Sequence, residues 1–210
     1  MIRLDPGHFL IEPPLRLDPE KEARFAEQWR RLRAGGAYDL GDPKHEFLRW
    51  LVTHEDVLLH GSNRVAGERL EPRDQLDAID RPVRGVFASP DGIWPLFFAI
   101  ADRSRTRLLF NGCERRNGRG VYFFAVGTDE DPWTRGTVFV LPRAGFRRTH
   151  GFEWLSEEPV EPLARIDVEP ADFPFVDRVF RVRPGSPLWR LRARLFLEVV
   201  RAQSRRLARR

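Results

Sequence analysis

The residues best suited to chemistry sit where an apolar run, Val57-Leu58-Leu59, leads directly into His60-Gly61-Ser62. A histidine there can hydrogen-bond a sugar hydroxyl, a glycine lets a ligand approach backbone amide and carbonyl, and a serine adds an adjustable donor and acceptor. Together they can hold an amide-bearing ring. A turn ending a strand, with His60 satisfied by a nearby carbonyl, explains the same triplet without any ligand. The carboxylate that stands out is Glu153, inside the apolar stretch Phe152-Glu153-Trp154-Leu155, where an acid costs free energy unless it has a role. Glu157 and Glu158 precede Pro159, and solvated acids are ordinary in such a turn. Alternation puts Glu153 on the face opposite Phe152 and Trp154.

Other chemistries find less support. The chain has no P-loop, no G-x-G-x-x-G after a strand, no G-x-S-x-G and no H-E-x-x-H. His54 and His60 flank Glu55-Asp56, but on a strand six residues span about 20 Å, too far to share a metal. No metal site is expected. Cys113, the single cysteine, falls in a stretch read as a Gly- and Arg-containing loop; without a placed histidine base it reads as an incidental thiol. A lone cysteine also excludes a disulfide framework or a cysteine-rich cluster and suits a reducing, cytoplasmic setting.

The elements that must position these residues can be read along the chain. Asp18 caps a first helix with Pro19 at its first position and Gly35-Gly36 at its end, and Ala23, Ala26 and Trp29 share a face. A second helix runs over 43–53 with Phe47, Leu48 and Leu51 buried. From Asp56 onward short apolar runs broken by Gly, Pro and Asp predict strands near 57–60, 85–88, 107–110, 121–126, 137–141, 152–155 and 163–168. Asn117-Gly118 marks a tight turn, and a short helix fits 93–101. Helices followed by a strand-rich body argue for an α+β fold rather than a doubly wound parallel sheet. The expected organisation is one compact domain, with a helical segment over 1–55, a body over 56–185 and a basic amphipathic helix over 186–210.

The chain's 210 residues and 41% hydrophobic content are ample for a packed core. The net charge of +5 is uneven: 190–210 hold eight arginines and one acid, a balance of +7, which leaves 1–189 at 5 − 7 = −2. A polyanion contact would therefore run through Arg190, Arg194, Arg201 and Arg205, which share one face of the terminal helix. A helix docked on the sheet with a solvated arginine face accounts for the same pattern. No apolar run is long enough to span a bilayer, so no membrane partner is expected.

Leu58-Leu59-His60-Gly61-Ser62, then Gly85-Val86-Phe87-Ala88, an apolar helix and finally Phe152-Glu153-Trp154-Leu155 resemble, in order, the motifs of the ADP-ribosyltransferase fold in the branch of diphtheria toxin and the poly(ADP-ribose) polymerases. The resemblance covers roughly residues 56–170. It implies a split antiparallel sheet that binds NAD+ as substrate and transfers ADP-ribose to an unknown acceptor, or hydrolyses NAD+. It assigns His60 to the adenosine ribose, Gly61 and Ser62 to the carboxamide, Phe87 and Phe98 to stacking on nicotinamide, and Glu153 to catalysis. Phe87 and Phe98 stand where that branch has tyrosines, so stacking is kept while the hydroxyls are lost. Three alternatives remain open: a catalytically silent nucleotide-binding or interaction module, an activity like that of the RNA 2′-phosphotransferases, and nucleic-acid binding through the terminal arginines.

Overall fold

The computed structural model describes residues 9–64, 68–77 and 81–184, together with Leu191 and Glu198. In chain order the elements are β1 (Leu10–Ile11), α1 (Pro19–Arg33), α2 (Lys44–His54), β2 (Val57–Ser62), β3 (Arg73–Leu76), β4 (Pro82–Ala88), α3 (Trp94–Ile100), β5 (Leu108–Arg116), β6 (Arg119–Gly127), β7 (Gly136–Pro142), β8 (Arg147–His150), β9 (Glu153–Ser156), β10 (Ala164–Val168) and β11 (Phe180–Val182). They form two compact units: 1–12 with 102–132 and 175–210, and 13–101 with 133–174. After the short β1, two helices lead and mostly antiparallel strands follow, with β11 parallel to β6, an α+β architecture.

The unit containing β2 begins with two helices that the sequence specifies locally. Asp18 accepts a hydrogen bond from the Lys21 amide at 2.8 Å, Pro19 starts the helix, and Gly35 takes the left-handed conformation (φ 84°) that ends it. The buried stripe of α1 is Phe25, Gln28, Trp29 and Leu32, so only Trp29 of the expected face is inside. The larger ring of Phe25 takes the interior position, edge-on to Phe47 with centroids 5.5 Å apart. On α2, Phe47, Leu48 and Leu51 are buried together with Trp50.

Two antiparallel sheets follow in the same unit, one ordered β10-β7-β2 and the other β3-β4-β9-β8. Among the described residues one bridge joins them, Leu59 to Ser89, with both backbone hydrogen bonds at 2.9 Å. Between the sheets, Leu58, Phe139 and Leu141 pack against Val86 and Ala88, with Trp154 alongside. α3 lies against β2 and β7, and its approach is very close. A Cβ on Gly61 would fall 1.8 Å from the Pro95 carbonyl oxygen, and one on Gly136 would fall 1.9 Å from that of Ala99. Only hydrogen fits at either position.

The other unit is built on β6. β5 pairs with it over its whole length through the Asn117-Gly118 turn, with φ 46° and 76° at the two residues. β1 and β11 share the opposite edge, antiparallel and parallel respectively. Cys113 lies within β5 opposite Tyr122, in a strand rather than the loop its Gly and Arg neighbours indicate. The helix expected over 186–210, with Arg190, Arg194, Arg201 and Arg205, lies outside the described residues apart from Leu191 and Glu198, both helical. Among the described residues no helix is long and apolar enough to cross a membrane.

Candidate functional site

The site is best built outward from the Leu59–Ser89 bridge. Counting on from that pair, Gly61 falls level with Phe87, but here β2 and β4 have parted and no ladder joins them. The Phe87 carbonyl turns towards the gap and accepts a hydrogen bond from His60 Nδ1 at 2.6 Å. A carbonyl can only accept, so the proton sits on Nδ1, and in the neutral ring Nε2 is the acceptor nitrogen. The Gly85 carbonyl, two residues earlier on the same edge, is met by the side-chain amide of Gln75 at 2.8 Å. At Gly85 that edge is already taken by β3, which pairs with β4 from Pro82 to Gly85, so the carbonyl met by a side chain from β2 is that of Phe87.

The backbone of β2 is oriented by alternation. Leu59 turns both N–H and C=O to Ser89, so Gly61, two residues on, directs its own N–H and C=O to the same edge. His60 and Ser62 turn theirs to β7, where they sit opposite Phe139 and Thr137. The edge of Gly61 therefore presents a donor and an acceptor side by side at the split, the pattern complementary to a carboxamide.

Faces sort the side chains. Val86, Ala88 and Trp154 look into the layer between the sheets, so Phe87 and Ser89 look to the other side. There Leu155 pairs with Phe87, and the next position of the register sets Glu153 level with Ser89. Glu153 is half-buried, and its Oε1 accepts a hydrogen bond from Thr149 Oγ1 at 2.8 Å. α3 covers the same face of β2 through Pro95 and Gly61. Phe98 is half-buried on that helix beside Ala99, with its ring 5.9 Å from that of Trp94. Gly61, Phe87, Phe98 and Glu153 are thus carried on or against one side of the split.

His60 and Ser62 lie on the opposite side of β2. The His60 ring is 6.1 Å from that of Phe139, and its Nδ1 bonds the Phe87 carbonyl on β4. The Ser62 hydroxyl both donates to the Arg64 carbonyl and accepts from the Arg64 amide, each at 3.1 Å. It closes a local turn beyond the strand. β2 itself continues through Ser62, so the triplet is strand and not turn. His54 ends α2 and stacks on Trp50 with centroids 4.9 Å apart, so the pair His54 and His60 does not share a strand.

Two residues beside the split carry no motif signal. Trp94, one helical turn before Phe98, widens the aromatic flank of α3; its spacing from Phe98 was the available clue. Ser89 is visible only through its pairing with Leu59, thirty positions earlier. Asp91 then turns the chain into α3, its Oδ1 accepting from the amides of Ile93 and Trp94 at 2.9 and 2.7 Å. Comparisons with family models, with characterised proteins and with solved structures return no match to this chain.

Proposed function

We propose that this chain is an ADP-ribosyltransferase-like protein that binds NAD+ in the split between β2 and β4 and transfers ADP-ribose to an acceptor. The observation that carries the reading is the edge of Gly61, whose N–H and C=O turn away from β7 to the side where pairing with the β4 sheet has ended, with Phe87 level with it in the register of the Leu59–Ser89 bridge and Glu153 one strand further on. In this reading Gly61 holds the carboxamide through two backbone hydrogen bonds. Phe87 and Phe98 flank the ring. The acceptor nitrogen of His60 takes a ribose hydroxyl proton as a hydrogen bond, with Nδ1 pinned by the Phe87 carbonyl.

The reaction breaks the bond between ribose C1′ and the nicotinamide nitrogen. The bonding pair leaves with the ring, positive charge builds on the ribose, and the acceptor's nucleophile bonds to C1′ and gives up its proton. Glu153 stabilises the developing charge more than it stabilises the ground state, which is what lowers the barrier. Titration calorimetry tests the binding step. Wild type is expected to bind NAD+, and His60→Ala to weaken binding by about 1 kcal/mol, the scale of one hydrogen bond. A wild-type protein that shows no binding at about millimolar NAD+, an affinity worth about 4 kcal/mol, overturns the reading.

A further inference from the structure

We infer that one face of the sheet built on β6 is a stacking surface for single-stranded nucleic acid, a role independent of the NAD+ reading. The sheet packs its core on the other side, where the buried rings of Tyr122 and Phe124 stack at 5.9 Å and meet Phe175. Alternation sends Arg119, Phe123 and Ala125 the opposite way. The register then places Phe110 and Phe180 on either side of Ala125, and continuing β1 back from the Leu10–Tyr122 pair sets Phe9 level with Phe123. All four phenylalanines are half-buried. The rings of Phe110 and Phe9 lie 5.1 and 6.1 Å from that of Phe123, which leans over Gly112 where any side chain would collide with it. Ile11, opposite Val121 on the same face, is 53% exposed.

Charge identifies the occupant. At the turn end of this face Arg116 and Arg119 stand directly opposite each other, a like-charge pair whose cost a phosphate between them removes. Among the described strand residues of the face Glu114 is the single acid, and it pairs with Arg116. The Arg116 guanidinium also sits 5.7 Å from the centre of the Phe9 ring, so cations and rings form one continuous surface. The same sign runs through the sequence of the whole unit: 1–12, 102–132 and 175–210 hold 18 basic and 9 acidic residues, 18 − 9 = +9, whereas the other unit comes to 18 − 22 = −4. Rings that take the faces of bases, beside arginines that neutralise phosphates, bind unpaired strands with little regard to sequence. A duplex keeps its bases stacked inside and offers this face only phosphates.

Fluorescence anisotropy at low salt tests this with a labelled oligothymidylate of about 12 nucleotides and a duplex of the same length. Wild type is expected to bind the single strand more tightly than the duplex, and less tightly as salt rises. Phe123→Leu and Phe110→Leu keep the apolar bulk and remove the ring, so each is expected to weaken single-strand binding by about fivefold to a hundredfold, the range for one stacked base. Changing Arg116 and Arg119 together to Gln is expected to flatten the salt dependence. Ultraviolet crosslinking of wild type needs no variant, and its crosslinked peptides are expected from β5 and β6, residues 108–127. No binding by wild type, equal affinity for the duplex, or crosslinks elsewhere overturns the inference. So does a loss confined to the full chain with Arg190, Arg194, Arg201 and Arg205 all changed to Gln, which puts the contact on the terminal segment. Unchanged affinity in both Leu variants, with a lower melting temperature or an altered oligomeric state, shows that the rings pack against the chain itself or a second copy, and overturns it as well.

Discussion

Glu153 and its neighbour Thr149 define what a conservative change would test. Thr149 Oγ1 donates to Glu153 Oε1 at 2.8 Å, and a glutamine keeps an acceptor oxygen in that bond while removing the charge. Glu153→Gln should therefore leave the fold and NAD+ affinity nearly unchanged and lower glycohydrolase or transferase turnover by about a hundredfold or more, the loss seen when one electrostatic stabiliser is removed. Equal turnover in variant and wild type would refute a catalytic Glu153. Binding retained with no turnover in either protein would instead point to a silent nucleotide-binding module, a reading to which the phenylalanines at 87 and 98 lend weight. At this scale the sequence revealed residue types but not sides. His60, Gly61 and Ser62 are consecutive, yet alternation sends only Gly61's backbone to the split edge. Ser89 carries no signal of its own, because its position depends on a pairing with Leu59.

Among elements, the meeting of α3 with β2 and β7 is the most constrained. The Pro95 carbonyl would lie 1.8 Å from a Cβ on Gly61 and the Ala99 amide 2.9 Å from it, and both obstacles are backbone, which cannot swing aside as a side chain can. Gly61→Ala must push α3 off the sheet, at a cost of about 1–3 kcal/mol or more. Urea unfolding should show that loss in the ligand-free protein, and a variant as stable as wild type would mean that α3 does not sit this close. Gly61 is thus held by packing as well as by any ligand. The elements that could be read from sequence were those with local signals: the Asp18-Pro19 start of α1, the Asn117-Gly118 turn and the apolar runs of β2, β4, β6 and β7. β3 and β8 escaped because Arg73–Leu76 and Arg147–His150 are polar edge strands with no apolar alternation, held by backbone bonds to β4 and β9. β1 and β11, of two and three residues, are too short to show any period.

For the whole molecule, charge is arranged more tightly than the net value of +5 conveys. The only two lysines each join an acidic partner in the unit that holds the split: Lys21 bonds Glu46 and lies 3.5 Å from Asp42, and Lys44 lies 2.9 Å from Asp172. Tyr38, whose hydroxyl donates to the Asp42 carbonyl at 3.0 Å, is raised well above its ordinary pKa by burial first and by Asp42 and Asp172 next. His45 sits in the same cluster and is pushed below its ordinary value of 6.5, chiefly by burial, with Arg49 and Lys21 adding to the effect and Glu46 and Asp172 opposing it. The folded protein therefore resists a proton that the unfolded chain accepts. His45's contribution to stability is fully present above pH 6.5 and is lost as pH falls from 6.5 through its lowered folded-state value. Urea unfolding at about pH 7.5 and about pH 5 should show wild type losing stability towards acid, and His45→Gln, which cannot titrate, losing less over the same interval. An equal or larger acid loss in the variant would mean that His45 takes up its proton as readily in the folded protein as in the unfolded chain.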